Sequence, residues 1–378
     1  MRKNIQTWLS LLFLAALSLA LGACGKADAN SETPRDAVSL WYVEGEALAP
    51  EITRLAEEYN ASLRDRASLP VSIRSFPDEE SLAAAFDVVQ PDLLLCSHER
   101  AFALYDAGAL QDLTSSVGAA APAYPGALTR YSACIGSRYY PIGFETLLLV
   151  ARSDEDLGSA GTDLTALLEL TAQYGKENGL PFMAVDSLAD MLYDMLLALS
   201  TELHGVRRLD ISNRDYVYAY NLLAEAAYTG GLIASEYPAA ALVQNGHLPC
   251  AAAASSSLVQ AEKSDYVVRP LPQLGDGKVY LAWASGLAVT AREGRSLRSA
   301  ASFLSWLFEA SRLSQTALSS GLVPAAGFGS GQAQNGLQAA LVEIARNSEP
   351  HLPVPDGDFC KNRKSLEEDL RAAVELLN

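Results

Sequence analysis

Residues 91–108 read PDLLLCSHERAFALYDAG, and the fold class turns on them. Residues 92–96 are apolar after the opening aspartate and show no alternation, as in a strand buried on both faces. Residues 98–107 then follow a helical period that Gly108 stops. Two similar units stand upstream. Val38–Val43 (VSLWYV) is a short β-rich run, and residues 46–63 place Leu48, Ile52, Leu55, Ala56, Tyr59 and Leu63 at helical spacing. Val71–Phe76 reads as a second strand. Pro77-Asp78-Glu79-Glu80 then opens a helix to about Val89, with acids where the helix dipole favours them. The order βαβαβα demands a parallel sheet with right-handed crossovers. Ligands of such sheets sit beyond the carboxyl ends of the strands, so the loops after Trp41, Phe76 and Cys96 are the first places to look.

Further along, residues 141–151 (PIGFETLLLVA) form one strand-like run, followed by helical stretches at 163–177, 187–203 and 213–229. Strands are expected at 249–254, 266–271 and 283–290, and helices at 296–309, 311–319, 334–347 and 363–377. The pattern is a second α/β lobe rich in helix, without an internal repeat.

The chain has 378 residues, 49% of them hydrophobic, enough for about two domains at ~150 residues each. A net charge of −17 argues against nucleic acid and against electrostatic docking on anionic lipid. Another route to a membrane is written at the start. Met1-Arg2-Lys3-Asn4 is basic, and residues 8–21 are apolar apart from two serines. That run is shorter than the ~20 residues of a spanning helix and has the length and flanks of a secretory signal. It ends in Leu21-Gly22-Ala23-Cys24, which resembles the bacterial lipobox, in which the cysteine sulfur takes the lipid. Residues 1–23 are then a signal peptide, and 24–37 a lipid-anchored flexible tether of small polar residues. Loss of Arg2 and Lys3 leaves the mature chain at −19, with 45 acids against 26 bases.

Cys96, Cys134, Cys250 and Cys360 permit two disulfides in three connectivities, or free buried thiols. No Cys/His spacing matches a metal site. There is no G-x-S-x-G elbow, Walker A loop, G-x-G-x-x-G after a strand, or H-E-x-x-H. Gly327–Gly331 (GFGSG) lacks the strand–turn–helix setting of a phosphate loop. Neither catalysis nor a cofactor is expected.

Four stretches carry a resemblance that runs from about Val38 to the C-terminus. Residues 91–114 are similar to a strand followed by W-A-H-D-R-F and a helix closing on G-L-L. Residues 140–150 (YPIGFETLLLV) resemble a Y-P-I-A-V-E-A-L crossover. Residues 266–289 resemble a return strand with its L-P, and 300–324 an A-x-x-F-L-x-x-L helix with a second helix ending in G-x-x-P. The chain thus resembles extracellular solute-binding proteins of the carbohydrate class, above all maltose/maltodextrin-binding proteins. The resemblance implies a two-lobed, type II periplasmic-binding-protein-like fold with the ligand cleft between lobes. Lobe 1 would take 38–143 with about 283–325, and lobe 2 about 144–282 with about 326–378.

It also implies a site. Sugars are held by carboxylates and guanidinium groups on paired hydroxyls and by aromatic faces over C–H surfaces. Ser97, His98, Glu99 and Arg100 fall on the loop after the third strand, with Glu99 and Arg100 on the family's acid and base. Glu145 falls on the acid at the crossover. Trp41, Glu44 and Glu46 follow the first strand, Tyr140 precedes the hinge, and Trp283 is the best remaining aromatic platform. Trp41 also reads as core beneath the cleft. Cys96 stands where maltodextrin binders stack a Trp, and Ala254–Ser257, with Ser255 and Ser256, stands where they carry a Trp pair. Fewer platforms favour a smaller sugar or another polar solute over long maltodextrins. The implied protein is an exported, monomeric lipoprotein on the outer face of the bacterial cytoplasmic membrane. It would deliver its solute to the membrane subunits of an ABC importer. The alternative is a lipoprotein of the same fold that senses or binds a partner without transport.

Overall fold

The computed structural model describes residues 36–64, 68–125, 128, 133–199, 213–259, 266–275, 278–291, 294–327, 333–353 and 357–377, without the side chains of 119, 357–362 and 377. The signal segment, Cys24, all but the end of the tether and most of the GFGSG stretch lie outside these residues. All that follows concerns the compact unit Ala37–Asn378.

In chain order the strands are β1 (Val38–Val43), β2 (Val71–Phe76), β3 (Leu93–Ser97), β4 (Tyr139–Glu145), β5 (Leu147–Arg152), β6 (Met183–Val185) and β7 (Leu232–Ala234). After them come β8 (Cys250–Ala254), β9 (Tyr266–Pro270), β10 (Val279–Leu281), β11 (Trp283–Val289), β12 (Val323–Pro324) and β13 (Glu349–His351). One sheet has six strands in the order β12-β4-β11-β3-β1-β2 and another has five in the order β7-β6-β8-β5-β9. β1 pairs in parallel with both β2 and β3, as the βαβ reading requires. β11 returns antiparallel between β3 and β4.

Local chemistry explains where the first units begin and end. Asp78 accepts from the Ser81 N–H at the start of helix Glu79–Val88, whose first turn carries Glu79 and Glu80. Ser97 ends β3 and accepts from the Arg100 N–H, capping helix His98–Asp106. Gly108, at φ 68°, takes the left-handed turn beyond it.

The apolar run 141–151 is not one strand. β4 ends at Glu145 and β5 begins at Leu147, in the other sheet. Both halves are buried, so hydropathy shows no break. Thr146 is held between them: its carbonyl accepts from the Ser255 N–H at 2.9 Å, and its N–H donates to Ser255 Oγ at 3.4 Å. The return crossing lies at Ala282, whose N–H donates to the His351 carbonyl at 3.0 Å. β6, β7, β10, β12 and β13 span only two or three residues, too short for periodicity to reveal.

Helix Leu164–Asn178 lies unusually close to the loop before β7. A Cβ on Gly231 would stand 1.9 Å from the Thr171 carbonyl oxygen. Cys96, Cys134 and Cys250 are free and buried, which decides for thiols at those three positions. The Cys360 side chain lies outside the described residues. No helix among the described residues is long and apolar enough to cross a membrane.

Candidate functional site

Where the chain passes between the two sheets it leaves a cavity of about 370 Å³. Ser97 and Glu99 line it from the end of β3, and Glu145, Thr146 and Leu147 from the crossover. Asp186, Ser187, Asp190 and Asp194 come from β6's exit and helix Leu188–Leu199. Ala254, Leu281, Trp283 and Arg363 complete the wall. The volume lies at the small end of ligand pockets, ~300–1,000 Å³.

Register places the central pair. Trp283 lies directly opposite Glu145 across the antiparallel β11–β4 ladder, so the two side chains share one face. Ser256 Oγ–H donates to Glu145 Oε1 at 2.6 Å. Burial pushes the Glu145 carboxyl above the usual carboxylate range, against that hydrogen bond, and Asp190 and Asp186 add to the rise.

The second sheet contributes acids with different partners. Asp186 accepts from the Ala239 N–H at 2.6 Å and the Ala254 N–H at 2.7 Å, bridging helix Ala239–Gln244 to β8. Ser187 caps the next helix, its Oγ accepting from the Asp190 N–H at 3.1 Å. Asp190 takes a two-pronged bond from Arg363, Nε to Oδ1 and Nη2 to Oδ2, both 2.6 Å. The same guanidinium carbon lies 4.4 Å from the centre of the Trp283 ring. Burial works against the Arg363 charge, but Asp190 holds its pKa above the ordinary value. Asp194 accepts from the Leu281 N–H at 2.8 Å, and burial pushes its carboxyl up to about 7.

Of the residues expected from the sequence, Ser97, Glu99, Glu145 and Trp283 come together at the cavity. His98 stands behind Trp283, ring centres 5.8 Å apart. Its Nδ1 accepts from the Ala284 N–H, and burial pushes its pKa down to about 4, so it is a neutral core group. Ser256 orients Glu145, and Ser255 is fully buried as the clamp on Thr146. Glu46 accepts from Ser285 Oγ, on the same face of β11 as Trp283. Its carboxyl is pushed up to about 7, by burial first and then by Glu79 and Glu145. Glu44 is exposed at the end of β1 and accepts from Ser75 Oγ. Arg100 is not in the cavity wall, and its buried Nε has no hydrogen-bond partner among the described residues.

Two expectations move into the core. Trp41 packs on Phe76, ring centres 4.9 Å apart, with the Arg74 guanidinium over both rings. Tyr140 is fully buried against Phe308 and donates its hydroxyl to the Ser137 carbonyl, because its position in β4 faces the helices rather than the cleft. Sequence reasoning missed Asp186, Ser187, Asp190, Asp194 and Arg363. The stretch AVDSLADMLYDMLLAL does carry a signal: Asp190 and Asp194 stand four apart in an otherwise apolar helix, where an acid requires a reason. Arg363, far off in sequence, carries none.

Solved structures of the same fold include the cyclic α-maltosyl-1,6-maltose binding protein of Arthrobacter globiformis, at 16% identity and TM-score 0.65, covering 90% of this chain and 96% of that one. A maltodextrin-binding protein of L. casei BL23 shares 14% identity at TM-score 0.67, covering 90% and 93%. UgpB of Mycobacterium tuberculosis, in complex with glycerophosphocholine, shares 16% at TM-score 0.68, covering 91% and 96%. These likenesses establish the two-lobed α/β fold. A comparison with curated sequences finds no match. The profile of the bacterial extracellular solute-binding proteins matches residues 78–326, about two thirds of the chain, from the second helix through β12. The chain therefore belongs to the bacterial extracellular solute-binding protein family.

Proposed function

We propose that this protein captures a small hydroxyl-rich solute, a sugar or short oligosaccharide, in the 370 Å³ cavity and delivers it to an ABC importer. The observation that carries the reading is the wall itself. An aromatic ring lies opposite a carboxylate at the crossover, with the hydroxyls of Ser97, Thr146 and Ser187 around them and both sheets contributing. A solute that touches both sides binds the closed arrangement better than the open one and shifts the population toward it. The closed form then presents its lobe surfaces to the importer's membrane subunits.

On this reading lobe 1 comprises 38–143 with about 283–325, and lobe 2 about 144–282 with about 326–378. No covalent step is required, and the protein works as a monomer. Residues 1–23 direct export and are removed, Cys24 carries lipid, and the tether holds the acidic body off the outer face of the bacterial cytoplasmic membrane. A thermal-shift panel of saccharides tests the carbohydrate class, since binding raises the midpoint by mass action. A flat response to all sugars with a clear response to another solute class would overturn it. Radiolabelled fatty acid incorporated by the parent but not by Cys24→Ala tests the anchor.

A further inference from the structure

The cavity is acidic well beyond what its own residues neutralise. Glu99, Glu145, Asp186, Asp190 and Asp194 line it, and Arg363 is the single cationic side chain in its wall among the described residues. Asp186 is occupied by two backbone N–H groups and Asp190 by Arg363. Glu99, Glu145 and Asp194 form no ion pair with any described residue, and Glu145 and Asp194 have one hydrogen-bond donor each, a serine hydroxyl and a backbone N–H.

We propose that the captured solute carries an ammonium group, received among Glu99, Glu145 and Asp194, as in an amino sugar or an aliphatic polyamine. The inference rests on the cavity being the solute site. A neutral sugar would leave Glu99, Glu145 and Asp194 without a counter-ion of their own; burial already raises the Glu145 and Asp194 carboxyls, and only the more distant Arg363 charge works against that at Glu145. An ammonium supplies the missing charge and three N–H donors at once.

Arg363 shows that the wall accommodates an organic cation. Its guanidinium is forked on a carboxylate and laid over an indole ring, the combination that recognises organic cations elsewhere. The guanidinium lies over one face of the Trp283 ring. A bare metal ion fits poorly. The acids are spread around a space of about 370 Å³, and no group of three His, Cys, Asp or Glu among the described residues is placed to hold one. Ser97, Thr146 and Ser187 add polar residues to the same wall.

Isothermal titration calorimetry of the purified protein with D-glucosamine, N-acetyl-D-glucosamine, D-glucose, putrescine and spermidine tests this. The expected result is an amine bound ~10-fold or more tighter than either neutral sugar, the scale of one hydrogen-bonded charge. Asp194→Asn and Glu145→Gln should each cost the amine ~10-fold, a larger loss than either causes for the neutral sugars. Melting curves of both variants separate a lost site from a lost fold. Preference for glucosamine identifies an amino sugar, and preference for putrescine or spermidine a polyamine. Glucose or N-acetylglucosamine binding as tightly as any amine would overturn the charge and leave solute capture standing. Silence from all three amines would overturn the proposal, and the saccharide panel would then decide separately whether the cavity captures solutes at all.

Discussion

Replacing Asp186 by alanine should destabilise this protein by about 3 kcal/mol. Among the described residues the carboxylate is the only acceptor for two backbone donors, Ala239 N–H at 2.6 Å and Ala254 N–H at 2.7 Å. Each orphaned N–H costs roughly 1–3 kcal/mol when buried, for a raw sum of about 2–6. Ala254 lines the cavity, so water can reach its N–H and the lower half of that range applies there. Loss of the negative charge at the start of helix Ala239–Gln244 adds ~0.3–1 kcal/mol. The total of about 3 kcal/mol is a shift of ~150-fold in the unfolding constant. Urea unfolding followed by far-ultraviolet circular dichroism measures it, with Asp186→Asn as the companion. The asparagine keeps one acceptor and turns an NH₂ toward the other donor, so it should lose at least half as much. A loss below about 1 kcal/mol for the alanine variant would refute the bridge, because no described residue offers a second acceptor to replace it.

Other expectations follow from the same contacts. Asp194 titrates at about 7 in the folded chain against a reference of 3.8, so the native state holds the extra proton and this group lowers stability as pH rises from about 4 to 7. Asp194→Asn keeps the Leu281 N–H bond and should gain up to ~4 kcal/mol at pH 8, where Asp190 on its own helix and Tyr280 on β10 face it; a loss there refutes the assignment. Gly231→Ala drives a Cβ to 1.9 Å from the Thr171 carbonyl and should cost ~1–3 kcal/mol or more, read by thermal melting. Tyr139→Phe removes a fully buried hydroxyl that donates to the Cys96 and Ala284 carbonyls at 3.2 and 3.3 Å. It should cost ~1–2 kcal/mol in urea with no change in solute affinity.

How much of this was legible in advance varies by element. β1 and β2 match their expected limits because turn residues bound each β-rich run. Helix His98–Asp106 is bounded by a serine cap and a left-handed glycine, both visible in the sequence. The break at Thr146 was not visible, since both sheets bury their inner strands alike and hydropathy records burial without its address. At the site, Glu145 stood out as an acid inside an apolar run. Its partner Trp283 is 138 positions away and was reached through family resemblance, whereas the structure pairs the two by strand register. Tyr140 lies in the core instead, because alternation along β4 does not say which face meets the cleft.

The amino-acid sequence by itself determined the βαβαβα start, a second helix-rich lobe, and a strongly acidic charge. Each of these follows from local period, composition or capping, which depend on neighbours in the chain. Only the tertiary structure decided that Asp190 and Arg363 form one fork over Trp283, and that Glu99, Glu145 and Asp194 face the same small space with no ion pair of their own among the described residues. Those groups meet across two sheets and a carboxyl-terminal helix. Their charge balance exists only once folding brings them within a few ångströms and removes the water that would have screened them.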